Sequence, residues 1–163
     1  MSHATGRVLL ITTFAFLASV AVAPADGGPT VAFEGRWIGV GVEPAPGSDK
    51  QPSPAEREDA SRVRLLFSAG AFEDTWALGC QAPRYTVLLM PPEGLFQGLL
   101  SGRDAADDAD RMGFPEGDVP TLRVDCPNGS FDFHLAGPTT LRFALSGLIY
   151  TFERPIVPTP SPG

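Results

Sequence analysis

The sequence predicts a mainly β fold: about eight antiparallel strands in a barrel or sandwich, interrupted by a short two-helix insertion and closed by one disulfide. Three observations carry this prediction. Apolar and polar residues alternate at period two through most of the chain, as in strands with one buried face. Turn residues, among them Pro127-Asn128-Gly129 and Ser146-Gly147, separate the alternating runs. The two cysteines, Cys80 and Cys126, lie in a chain that opens like an exported protein.

Arg7 stands in a short polar opening, residues 8–23 form an apolar run, and Ala23-Pro24-Ala25 supplies small residues at its exit. Residues 1–25 therefore read as a cleavable signal peptide, with Asp26 as the mature start. The apolar run is shorter than the roughly 20 residues of a spanning helix, so no stable membrane anchor is expected after cleavage. A periplasmic or secreted location follows, and in an oxidising compartment Cys80 and Cys126 are expected to pair. The long loop they close is worth roughly 4 kcal/mol in the chain-entropy model. Twelve basic against 19 acidic side chains give a formal net charge of −7. Such a chain is a poor ligand for nucleic acid and suits a soluble protein or a basic partner.

Residues 26–154 are expected to form one domain. Residues 33–42 are β-branched, aromatic and glycine-punctuated, the pattern of a first strand bent at its glycines, with Trp37 in the core. A polar, proline-rich stretch follows over residues 43–62. Within it Ser53-Pro54-Ala55-Glu56 carries an N-cap serine, a proline at the first helical position and a glutamate three beyond the cap, which predicts a surface helix. Val63, Leu65 and Phe67 then alternate with Arg62 and Arg64, and Ser68-Ala69-Gly70 turns into a strand over residues 72–78, with Trp76 and Leu78 on its apolar face. Residues 85–89 make a fourth strand, ended by Pro91 and Pro92.

The middle changes period. Leu95, Phe96, Leu99 and Leu100 recur at helical spacing, as do Ala105, Ala109 and Met112, with Gly113 as a stop. The second of these two helices carries Asp104, Asp107, Asp108 and Asp110. These aspartates point outward from a helix instead of surrounding a glycine turn, so no metal site is expected.

Alternation resumes with Leu122, Val124 and Cys126, turns at Pro127-Asn128-Gly129, and returns with Phe131, Phe133 and Leu135. Beyond Gly137-Pro138 a last hairpin sets Leu145 against Leu148, Phe143 against Tyr150 and Leu141 against Phe152. Ile149 is the lone apolar residue on the opposite face, which is expected to be solvated. Residues 155–163 are a proline-rich tail without core residues, expected to be disordered.

Asp132 and His134 share a strand face opposite Phe131, Phe133 and Leu135. A carboxylate beside an imidazole is the orienting half of a catalytic triad. No serine stands in a nucleophile elbow, however, and no thiol is expected to be free, so the two side chains read as an ordinary same-face pair on a solvated strand, and no catalytic residue is expected. Gly39-Val40-Gly41 lacks the spacing of a dinucleotide or P-loop fingerprint, and no cofactor is expected. Asn128-Gly129-Ser130 has the form of a glycosylation acceptor but reads first as a turn.

Gly35-Arg36-Trp37, taken with Arg154 after the last strand, resembles the calycins and lipocalins, in which Gly-x-Trp opens the barrel and a late arginine packs over the tryptophan. The family's acidic residue and tyrosine in a central loop have no counterpart, and helices between the fourth and fifth strands depart from it. Gly79-Cys80 and Asp125-Cys126-Pro127 resemble exported META-type domains, although Gln81 stands where asparagine is usual. The lipocalin resemblance implies a ligand cavity lined by Trp37, Trp76, Phe143, Tyr150 and Phe152; the same aromatics would equally serve as the packed core of any small β domain.

Two functions follow. One is an exported, non-enzymatic binding protein for a small, partly apolar molecule. The other is an exported interaction module, an inhibitor or accessory factor, presenting the acidic helix and the 43–62 loop to a partner protein. A hollow interior favours the first and a filled one the second.

Overall fold

A computed structural model describes residues 31–155 apart from 101 and 103. Residues 1–25, expected as a signal peptide, and all of the expected proline-rich tail except Pro155 lie outside the described residues. Nine strands form one antiparallel sheet: β1 (Gly35–Pro44), β2 (Arg64–Phe67), β3 (Ala71–Asp74), β4 (Cys80–Gln81), β5 (Arg84–Met90), β6 (Val119–Cys126), β7 (Gly129–Gly137), β8 (Thr140–Leu145) and β9 (Leu148–Glu153). Their order is β4-β3-β2-β1-β9-β8-β7-β6-β5, a sheet curled into a half-barrel. Three short helices accompany it: α1 (Pro54–Arg62), α2 (Leu95–Gly98) and α3 (Ala105–Arg111).

The ninth strand comes from a turn the alternation hides. The strand expected to run on to Leu78 stops at Asp74, whose Oδ1 accepts the N–H groups of Trp76 and Leu78, and Ala77 takes a left-handed φ of 63°. The chain doubles back, and Cys80 pairs beside Phe72 as β4. Trp76 and Leu78 thus leave the ladder but still pack against the inner core.

The sheet's two edges, β4 and β5, are consecutive in the chain yet share no ladder. Other bonds draw the two ends of the sheet together. The Cys80–Cys126 disulfide joins β4 to β6, the Tyr85 hydroxyl donates to the Ala71 carbonyl (2.9 Å), and Asn128 Nδ2 donates to the Leu78 carbonyl (3.1 Å). The bridge therefore ties one end of the sheet to the other, with Cys126 packed on the inner core.

Local chemistry accounts for the rest of the framework. β1 shifts register against β9 between Gly39 and Gly41. At Gly39 a Cβ would lie 1.9 Å from the Ala60 carbonyl oxygen, so only glycine lets α1 rest on the strand. α1 begins with a reciprocal cap: Ser53 Oγ accepts from Glu56 N–H (3.2 Å) and Glu56 Oε2 accepts from Ser53 N–H (2.8 Å). Those bonds, with Lys50 nearby, hold the Glu56 carboxyl down at about 2. The β8–β9 hairpin has the expected register, and its loop residues Ser146 (φ 52°) and Gly147 (φ 76°) both adopt the left-handed conformation of a mirror-image turn.

The sheet has two cores. Trp37, Phe67, Phe72, Phe133 and Phe152 centre the inner one, on the concave face. The second lies on the outer face of β6–β9, where residues 91–118 bring Leu95, Phe96, Leu100 and Phe114 against Val119 and Ile149. Ile149, expected on a solvated face, is 0% exposed: the insertion covers it.

The insertion itself departs from two ordinary helices. Leu95, Phe96 and Leu100 are buried, which explains their spacing, but Phe96 (φ 55°, ψ 38°) and Gln97 (φ 59°, ψ 37°) are left-handed, so α2 is not a regular right-handed turn. α3 is as expected and ends in a Schellman motif, with Gly113 N–H bonded to the Asp110 carbonyl (2.8 Å) and Phe114 N–H to that of Ala109 (3.0 Å).

Candidate functional site

The five aromatics that the resemblance marks as cavity lining all belong to the inner core. Trp76 reaches in from the 75–79 turn and packs 4.6 Å from Tyr150, 6.0 Å from Phe152 and 6.2 Å from Phe143, measured between ring centroids. Phe143 stacks on Phe133 at 4.8 Å, and Phe133 meets Phe67 edge-on. Trp37 sits apart, its indole N–H bonded to the Phe33 carbonyl (2.9 Å) and the Arg154 guanidinium 4.3 Å above its ring. Arg154 also donates to the carbonyls of Glu34 (2.8 Å) and Ala32 (2.5 Å). The concave face is thus filled where these rings meet.

The clefts lie outside. One of about 510 Å³ runs over the outer face of β1–β3, lined by Arg36, Ile38, Arg64, Leu66 and Glu73, with Trp37 and Pro155 contributing to its walls. Register builds it: Arg36 stands opposite Leu66, Leu66 opposite Glu73, and Ile38 opposite Arg64. Apolar side chains therefore alternate with charged ones across three strands.

A second cleft, of about 290 Å³, opens beside α2 and is lined by Phe96, Gln97, Leu99, Asp132 and Ser146, together with Phe143 of the five predicted lining aromatics. Asp132 and His134, expected at a solvated surface, are buried here: Asp132 is 3% exposed and His134 0%. The cause is again the insertion, whose Phe96 and Phe114 rings stand edge-on to the imidazole at 4.7 and 6.4 Å. His134 Nε2 accepts the Phe96 N–H at 2.9 Å, which leaves the ring proton on Nδ1, 2.8 Å from Thr121 Oγ1. The threonine hydroxyl in turn donates to the Val119 carbonyl (3.2 Å). Asp132 is not directed at the histidine; Arg123 grips it with two bonds, of 2.7 and 2.8 Å, which push the arginine's own titration upward.

Both imidazole nitrogens and both carboxylate oxygens are therefore engaged. Burial pushes His134 down to about 4, keeping it neutral at ordinary pH. The group fastens the insertion to the sheet and offers no free base. Thr121 and Arg123, its unforeseen members, had a faint signal: Thr121 shares the outer parity of Val119, and Arg123 stands opposite Asp132 across β6 and β7.

On α3, Asp104, Asp107 and Asp110 are exposed, and Asp108 pairs with Arg111. Among the described residues no group of three or more His, Cys, Asp or Glu side chains is arranged to hold a metal ion. Asp107, Asp110 and Glu116 rim a third cleft of about 310 Å³ floored by Ala109 and Phe114.

Against protein-family models, curated proteins and solved structures, the chain finds no match. The functional reading therefore rests on this geometry.

Proposed function

We propose that the protein is an exported, non-enzymatic binding protein for a small, partly apolar molecule, held on the outer face of β1–β3. The observation that carries this reading is the cleft of about 510 Å³ in which Ile38 and Leu66 lie between Arg36 and Arg64. An apolar body seated on the two aliphatic side chains would place an anionic end beside the arginines. The close packing of the inner aromatics supports this outer cleft over the interior. Trp37 remains a lining residue, and the arginine over its ring is the arrangement the calycin resemblance implies.

Replacing Trp76 with phenylalanine leaves Trp37 as the only indole. Titration of that variant with a panel of aliphatic and aromatic carboxylates should quench or shift its fluorescence, and Leu66→Glu should abolish the response. A panel without response, or a response indifferent to Leu66→Glu, would overturn the reading.

The filled concave face also favours the second function, an interaction module that presents the exposed Asp104, Asp107 and Asp110 of α3 to a basic partner. Its test is a salt-sensitive complex with a defined exported partner that weakens on Asp107→Asn with Asp110→Asn.

A further inference from the structure

β5 is the long edge of the sheet. It pairs with β6 over its full length, from Arg84 opposite Asp125 to Met90 opposite Val119. Among the described residues no backbone hydrogen bond reaches its other side. An antiparallel edge turns alternate N–H and C=O groups outward, and natural edges are guarded by brevity, proline, a bulge or inserted charge. β4, the opposite edge, is guarded by brevity, with two residues. β5 has no such guard. Its seven residues keep an unbroken register, and between Tyr85 and Met90 there is neither a charge nor a proline. Val87 and Leu89, on the same face as the buried Tyr85, are 43% and 69% exposed.

We propose that β5 is a dimerisation edge, to which a second copy of this chain adds its own β5 antiparallel about a two-fold axis at Val87. Outward backbone groups call for an extended strand, and β5, uncharged from Tyr85 to Met90, meets a second β5 with no like charges opposed. The chain as a whole carries −7, so two copies approach most readily along a stretch free of acidic groups. Arg84, the one charge of β5, stands at its end; the antiparallel arrangement puts the two copies' arginines about 20 Å apart, six residues at about 3.4 Å each. Val87 then stands opposite Val87, and Tyr85 opposite Leu89, so the apolar strips of the two copies abut side by side on one face and bury their flanks. The contact is isologous and joins two half-barrels into one continuous sheet. One seven-residue strand buries less than the roughly 1,600 Å² of a standard interface, so the dimer should be weak and concentration-dependent.

Sedimentation of the full mature chain from micromolar to millimolar concentration should show a monomer passing to a dimer. Val87→Lys with Leu89→Lys, both at exposed positions, should keep the circular dichroism and melting temperature of the parent and remain monomeric. Val87→Cys, with the native bridge intact, should form an inter-chain disulfide under oxidation, and Glu73→Cys, exposed on β3, should not. A monomer at every concentration, a dimer untouched by the two lysines, or equal cross-linking of the two cysteine variants would overturn the proposal.

Discussion

The outer faces of β1–β3 and of β6–β9 are built from the same antiparallel pairing and the same alternation, yet one is open and the other is a core. The first carries Arg36, Ile38, Arg64, Leu66 and Glu73, and only Ile38 and Leu66 are partly shielded. The second carries Val119, Thr121, Asp132, His134 and Ile149, all buried. Residues 91–118 make the difference by laying Leu95, Phe96 and Phe114 over the second face. Alternation decides which side chains leave the inner core, but it does not decide whether they then meet water. Burying polar groups is costly unless they find partners, and the Thr121–His134–Phe96 chain and the Arg123–Asp132 pair supply them, while Arg142 Nε on the same face is buried without one. The open face carries no such cost.

The largest break in this comparison comes from cutting the covalent tie between the two halves. Cys80→Ala with Cys126→Ala should cost about 4 kcal/mol, because a loop with a sequence separation of 46 is freed in the unfolded chain. Denaturant unfolding measures it, and both Trp76 and Trp37 fluorescence should report a single, weakened transition. A loss below about 1 kcal/mol would mean that the Tyr85 and Asn128 hydrogen bonds close the half-barrel without the bridge.

A matched pair of isoleucines probes the two faces directly. Ile149→Ala should cost about 3 kcal/mol, since Ile149 is fully buried beneath the insertion. Ile38→Ala, on the open face, should cost less than about 1 kcal/mol. Equal losses at the two positions would show that the faces are not differently covered in solution.

What the sequence revealed follows the same division. The inner core was legible because Leu141, Phe143 and Leu145 alternate without exception and meet Phe152, Tyr150 and Leu148 in the expected register. The α1 cap was legible because Ser53 and Glu56 satisfy each other locally. The second core was not, because coverage by the insertion is a long-range event with a faint local trace. Ile149 was that trace, a single apolar residue out of pattern. His134 was misplaced on the surface for the same reason: nothing near residue 134 in the chain announces the Phe96 N–H or the two phenylalanine rings that surround it. β4 was missed because Asp74 and Ala77 reverse the chain inside an apparently continuous alternation. The proposed site follows the same division. The inner aromatics proved to be packed together, and the cleft formed where two apolar residues interrupt a charged outer face.

Between pH 6.5 and about 4, acid should act first on the covered face. Folding holds His134 at about 4 against an ordinary value of 6.5, with burial the main cause, the Asp132 charge opposing it and that of Arg123 adding to it. The unfolded chain therefore binds a proton that the folded one refuses between those values. The stability contributed by neutral His134 is complete above pH 6.5, declines as the pH falls, and is lost once the pH passes about 4. At about 1.4 kcal/mol per pH unit, the loss is about 3 kcal/mol. His134→Gln should flatten this part of the stability profile relative to wild type. Hydrogen exchange should show the Phe96 amide opening before the amides of β1–β3. An unchanged slope in the variant would place the acid sensitivity elsewhere.

The smallest effect concerns how the cover is held. A left-handed backbone costs a residue with a side chain about 1–2 kcal/mol, against little for glycine. Phe96 accepts that conformation in exchange for a buried ring and the bond to His134; Gln97 gains little from it. Its side chain is exposed, and its one hydrogen bond, to the Ser130 carbonyl, is long at 3.4 Å. Gln97→Gly should therefore stabilise the domain by about 0.5–1 kcal/mol, the relief of strain being partly offset by the extra freedom of an unfolded glycine. Thermal unfolding measures this, and Gln97→Val, β-branched at the same φ, should move the midpoint the other way. If glycine destabilised instead, the turn would be right-handed in solution, and His134 would have to find another partner for its Nε2.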